Sequence, residues 1–269
     1  MRIAFWSPMH GTGVTANVLA ISLSVATTED KSMLLTETGE DVMSARLFPN
    51  TSQSPKRSFQ EETGIDGVIR YFKAGMLSRQ LMEDCTTTLS GRLALLSGTG
   101  PGTRMSTDSE SLRKIVGRIF DIAQDYYDWV VIDTESGYSE ASLDTLNEAD
   151  IVVINLRQNR QMLDTLFCNE EFLKLDSNKL FYLFGSYDPN SKYNLSNLRR
   201  MYKHINNSNS GGLPHCTTFM DAIADRRTLR YFSTGMVAEE YGEREFFKAL
   251  EEVRKKLMTL AVKTKGATG

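Results

Sequence analysis

A doubly wound α/β domain, with a mostly parallel sheet and helices on both faces, is the fold class this sequence predicts. Three observations carry the prediction. Short apolar runs alternate with segments of helical period, the pattern of strands joined by crossover helices. Glycine- and serine-rich turns follow several of these runs, among them Ser97-Gly98-Thr99-Gly100-Pro101-Gly102 and Thr134-Glu135-Ser136-Gly137; open α/β sheets bind their ligands at such turns. The first run, Ile3-Ala4-Phe5-Trp6, leads through Ser7-Pro8-Met9-His10-Gly11-Thr12-Gly13-Val14-Thr15 into a helix-like segment. A strand, a glycine turn and a helix N-terminus aim backbone N–H groups and a positive dipole end at one point, which suits a phosphate.

The elements follow from the same pattern. Strands are predicted over 2–6, 32–35, 93–96, 129–132, 151–156 and 180–184, with a short one near 212–214. Helices are predicted over 15–26, 65–73, 78–85, 109–125, 161–175, 195–203, 220–224 and 244–262. The polar stretch 49–62 reads as a mobile loop and the terminal KTKGATG as frayed. Residues 239–263 hold an amphipathic helix in which Phe246, Leu250, Val253, Leu257 and Leu260 recur at helical spacing. Glu251, Glu252, Lys255 and Lys256 give its polar side mixed sign. That mixture favours packing on the core or a second subunit over contact with a membrane.

Composition bounds the function. With 269 residues, 41% of them hydrophobic, the chain can bury a sizeable core, and we read 1–269 as a single domain. A net charge of −3 gives no overall drive toward nucleic acid or anionic lipid. Cys85, Cys168 and Cys216 match no metal-ligand spacing and read as buried thiols of a reducing compartment. No segment approaches the ~20 apolar residues of a membrane span. A cytoplasmic location is expected.

The glycine turn has the frame of a phosphate loop without its lysine. Against the pattern GxxxxGK[ST], Gly13 and Thr15 fit, Pro8 stands at the first glycine and Val14 at the lysine. Three further segments lie in order behind it: Tyr127-Asp128-Trp129-Val130-Val131-Ile132-Asp133-Thr134-Glu135-Ser136-Gly137, then Ala149-Asp150-Ile151-Val152-Val153-Ile154, then Gly212-Leu213-Pro214-His215. The ordered set resembles the ParA/MinD group, P-loop proteins with a deviant Walker A motif, KGGxGK[ST], and within it the Tad-pilus positioning (TadZ-like) branch.

The resemblance implies that His10, Gly11, Thr12, Gly13, Val14, Thr15 and Pro214 contact ATP or ADP. It implies that Thr15 and Asp133 hold Mg2+, with Asp133 and Glu135 as candidate catalytic groups. It also implies a homodimer that presents a surface to a protein partner, through which it is recruited to a pole or a membrane assembly. The departures are as informative. The signature lysine falls at Met9 and the Walker lysine at Val14. An Asp-x-Asp expected at the end of the second strand is replaced by Thr36 and Thr38, and Glu37, one residue out of step, is expected on the opposite face. Phosphoryl transfer depends mostly on positioning and charge neutralisation. Reduced nucleotide affinity and very slow or absent hydrolysis are therefore expected. His10, Arg157 or the cluster Arg226, Arg227 and Arg230 are candidate substitutes for the lost cations. The function implied is a dimeric positioning or assembly factor of a pilus, secretion or partition type. A nucleotide-free scaffold and a DNA-partition ATPase with a rebuilt site are the alternatives.

Overall fold

Each apolar run predicted as a strand is a strand of the sheet, largely buried. The computed structural model describes residues 1–39, 43–48, 63–99, 110–233 and 241–267, so the stretch 49–62 read as a mobile loop lies outside it. In chain order the elements begin with β1 (Arg2–Trp6), α1 (Val14–Thr28), β2 (Met33–Glu37), α2 (Met43–Leu47), α3 (Gly64–Lys73) and α4 (Arg79–Asp84). A hairpin of β3 (Thr87–Ser90) and β4 (Leu93–Leu96) precedes α5 (Glu110–Ala123), β5 (Trp129–Asp133), α6 (Glu140–Glu148) and β6 (Ile151–Leu156). Then come α7 (Arg160–Phe167), α8 (Glu170–Leu173), β7 (Leu180–Gly185), α9 (Leu195–Met201), β8 (Ser210–Leu213), α10 (Thr217–Ala224), α11 (Thr228–Ser233) and α12 (Tyr241–Ala267).

The strands form one sheet in the order β3-β4-β2-β5-β1-β6-β7-β8. Every pairing is parallel except that of β3 on β4. Alternate residues of each strand feed two apolar layers. Ile3, Phe5, Leu35, Val131 and Val153 pack with α1, α2 and α10 to α12. On the other face Ala4, Trp6, Ile154 and Phe184 meet α6 to α9, while Leu34, Leu96, Val130 and Ile132 meet α3 to α5. The predicted fold class is what the chain adopts.

Differences from the sequence reading have local causes. The β3 strand escaped notice because Thr87-Thr88-Leu89-Ser90 is a half-exposed edge with no apolar run. The α6 helix was missed because only Ser142 and Leu146 of it are buried; its one clear signal is Ser139, whose side chain caps the N–H of Ser142. The helix predicted over 161–175 breaks in two at Asn169, which caps α8 by accepting from Phe172 N–H. The α2 and α11 helices, of five and six residues, are too short to show a period. The tail expected to fray continues α12 as far as Ala267. Cys85 and Cys216 are buried as expected, but Cys168 is exposed.

Close approach rather than turn geometry requires one glycine. A Cβ on Gly212 would lie 2.5 Å from Tyr187 Cγ and under 3.0 Å from both neighbouring ring carbons. The ring cannot simply swing away, because its hydroxyl accepts the Leu195 N–H at 2.9 Å. Gly212→Ala is expected to cost ~1–3 kcal/mol by overpacking, read as a lower midpoint in urea unfolding.

Candidate functional site

The turn after β1 owes its shape to two glycines. Gly11 (φ +79°) and Gly13 (φ +88°) are both left-handed, a conformation that favours glycine. Gly13 is the N-cap of α1 and offers no side-chain acceptor. The first intrahelical bond is closed by Asn17 N–H on Gly13 C=O at 3.0 Å. The N–H groups of the first turn before it therefore lack intrahelical partners. Beneath the turn, Asn17 Nδ2 donates to Asn155 Oδ1 at 2.9 Å, and Asn155 Nδ2 donates to the carbonyls of Trp6 and Val153, both at 3.2 Å. The start of α1 is thus bolted to β1 and β6.

In front of the turn lies a cavity of about 720 Å³. One wall is the loop itself, His10 to Ala16; another is the end of β2 with Glu37, Thr38 and Gly39; a third is Asp133 to Ser136 after β5. Arg46 of α2, Thr99 after β4, Arg157 after β6 and Met220 of α10 also line it. The switch-like segment after β5 is tied to β1: Gly137 N–H donates to Ser7 C=O at 2.9 Å, and Trp6 Nε1 donates to Gly137 C=O at 2.7 Å. Glu135 is exposed, and its N–H donates to the Thr38 hydroxyl at 3.0 Å.

Asp133 is the electrostatic centre of this wall. Burial pushes its carboxyl from the ordinary 3.8 up to about 6, against the opposing pull of the Thr15 hydroxyl, which donates to it, and of the Arg46 charge. Two hydroxyls that also line the cavity, Thr12 Oγ1 and Thr134 Oγ1, are buried and have no partner.

Of the residues singled out in the sequence, the cavity gathers His10, Gly11, Thr12, Gly13, Val14, Thr15, Asp133, Glu135 and Arg157. Pro214 stands just past β8 and is not part of the lining, nor are Arg226, Arg227 and Arg230; Arg227 faces Asp225 at 3.7 Å. Arg46 was missed. It sits on a short helix in a stretch of sequence without a motif, and only the fold brings it here.

No family model matches the sequence, and no curated protein matches it. Solved structures do. The ParA family ATPase from Chlorobium tepidum TLS is 14% identical, with a TM-score of 0.67 over 93% of this chain and 96% of its own. The septum site-determining protein MinD of Pyrococcus horikoshii OT3, complexed with Mg-ADP, is 15% identical, with a TM-score of 0.65 over 96% and 98%. A putative plasmid partition protein from Borrelia burgdorferi B31, bound to AMPPNP, is 15% identical, with a TM-score of 0.64 over 95% and 98%. The chain has the ParA/MinD-type P-loop fold.

One expectation drawn from that fold is overturned. Glu37 was expected to face away from the site. In the sheet it pairs in register with Asp133, and in-register neighbours on parallel strands point to the same face. Its carboxylate accordingly lines the cavity, where it accepts the N–H groups of Met43 and Gly98, each at 3.4 Å. Thr36, by contrast, is wholly buried and takes no part in the lining. Among the described lining residues there is no lysine, and Val14 is one of them.

Proposed function

We propose that the protein binds an adenine nucleotide with magnesium in this cavity and works as a dimeric positioning or assembly factor with weak or no ATP hydrolysis. The carrying observation is the Thr15 hydroxyl on the buried Asp133 carboxylate, directly beside a glycine loop at a helix N-terminus. Hydroxyl and carboxylate oxygens are the hard donors that magnesium prefers. Thr15 and Asp133 would hold the ion, and the orphaned hydroxyls of Thr12 and Thr134 support a wall that takes polar ligand atoms. Magnesium, when bound, supplies neutralisation of phosphate charge. The loop binds and orients the phosphates through its backbone N–H groups.

The nucleotides named with two of the structural neighbours, Mg-ADP and AMPPNP, support this ligand class. The neighbours' own designations, septum site-determining and plasmid partition, support a positioning role. Met220, exposed, lines the cavity and offers an apolar contact to a second copy. Slow turnover follows from charge: among the described lining residues three carboxylates, Glu37, Asp133 and Glu135, stand against two guanidiniums, Arg46 and Arg157. Such a wall neutralises a transferring phosphoryl group poorly.

Calorimetric titration with ATP and ADP, with and without magnesium, tests the reading, with thermal melting in parallel. Ligand at 100 times its Kd should add ~2.7 kcal/mol of stability. Magnesium-dependent binding with negligible phosphate release is the expected result. No binding up to millimolar nucleotide would leave a nucleotide-free scaffold on the same fold.

A further inference from the structure

The missing loop cation has two structural counterparts that reach the cavity from elsewhere in the sheet. Arg157 leaves the end of β6 and lays its guanidinium along the glycine turn. Its Nη1 donates to Gly185 C=O at 3.2 Å and its Nη2 to Gly11 C=O at 3.5 Å. The same Nη2 is 4.0 Å from the point a Cβ on Gly13 would occupy. Two carbonyl bonds hold the group in place and leave donors of its five-N–H fork to meet an anion. Arg46 arrives from the other flank. Its helix is fixed by the buried Met43 and Leu47 and by the Thr228 hydroxyl, which donates to Arg46 C=O at 3.1 Å. Its charge acts on the Asp133 carboxylate. Because β2 and β6 lie on either side of the β5–β1 pair, the two arginines bracket the loop that follows β1.

Resting on the nucleotide reading above, we propose that this pair replaces the loop lysine and divides its work. Arg157 holds the phosphate nearest the helix N-terminus, which di- and triphosphates share. Arg46 holds the terminal phosphate of a triphosphate beside Asp133, and so sets the preference for ATP over ADP. Guanidiniums suit both tasks, since they bind phosphate oxygens in a planar, bidentate manner and stay charged at all working pH values.

The test is a calorimetric comparison of magnesium-ATP and magnesium-ADP binding by the full chain and its Arg157→Gln, Arg46→Gln, Val14→Lys and Val14→Lys/Arg157→Gln variants, each checked for a cooperative melt. Arg157→Gln is expected to weaken both nucleotides by about 10-fold or more, as loss of a charge-assisted contact does. Arg46→Gln should weaken ATP about 5-fold or more and ADP by less than about 2-fold. Val14→Lys should recover most of the affinity lost in Arg157→Gln, and this double variant also serves if Arg157→Gln alone does not fold. Wild-type binding that survives Arg157→Gln overturns the proposal and leaves the nucleotide reading intact. Equal loss of ATP and ADP in Arg46→Gln overturns the division of labour. Absence of binding by the wild-type chain overturns both readings, and binding gained only with Val14→Lys would show that the arginines never replaced the lysine.

Discussion

At pH 7.5, Asp133→Asn is expected to raise the melting temperature of the ligand-free protein and, in the same variant, to abolish magnesium-dependent nucleotide binding. The first effect follows from the buried carboxyl, displaced upward from 3.8 to about 6. The folded chain then holds this proton more tightly than the unfolded chain. Stability that is fully present below about pH 3.8 is lost as pH rises through about 6, and above that the folded state bears the whole cost of an ionised, desolvated aspartate. Two units of displacement correspond to about 3 kcal/mol. An asparagine carries no charge to desolvate but gives up part of the bond from Thr15, so we expect a net gain of ~1–3 kcal/mol, or several degrees in Tm. The gain should shrink toward zero near pH 4, where aspartate and asparagine are both neutral. Thermal melts of the two proteins across pH 4–8 measure it. A variant less stable than wild type at pH 7.5 would sink the argument. Opposite signs in stability and binding are the mark of a group kept for a ligand at the expense of the empty fold.

The second large effect concerns the C-terminal helix. Phe246, Leu250, Val253 and Leu257 are each 3% exposed or less and pack in the layer that α12 shares with α1 and β8. Only Leu260 of the predicted stripe is partly exposed to solvent. The apolar side of the helix is therefore committed to the core. Leu250→Ala should cost ~2–5 kcal/mol through lost burial and the cavity it leaves. Lys255→Ala, on the outer side in an exposed pair with Glu251, should change stability by less than ~0.5 kcal/mol. Chemical denaturation separates the two. Wild-type protein should also fail to co-float with anionic vesicles, because the residues that would enter the lipid are already buried; robust flotation would contradict the packing role.

How far the sequence could be read depended on what kind of signal each feature carries. Arg2–Trp6, Leu93–Leu96 and Ile151–Leu156 were legible to the residue because strands in the middle of a doubly wound sheet are apolar on both faces. The glycine loop and Asp133 were legible because each lies at a fixed offset from such a strand. Glu37 was misread for a definite reason. Counting along one strand gives alternation, but which alternate face looks into the site depends on the residue paired across from it, here Asp133. Arg46 shows the same limit more sharply, whereas Arg157 was legible as a cation just past an apolar strand. Arg46 reaches the cavity from the connection after β2, at a sequence distance no local pattern spans, and the arginine cluster that did stand out, at Arg226, lies elsewhere.

The amide pair under the loop has a consequence for α1 as a whole. Every residue from Ala16 to Val25 is buried, so the helix has no apolar stripe to choose its rotation about its own axis. Burial alone would accept several rotations almost equally. Turning the helix by one residue, about 100°, would strip Asn17 of its partner and take from Asn155 the donor its carbonyl accepts, at a cost of ~1–3 kcal/mol for each stranded group. This polar contact at the loop end of the helix, with the Thr28 hydroxyl accepting from Arg254 at the far end, therefore selects the orientation of the helix, and with it the compass bearing along which the open N–H groups of its first turn look.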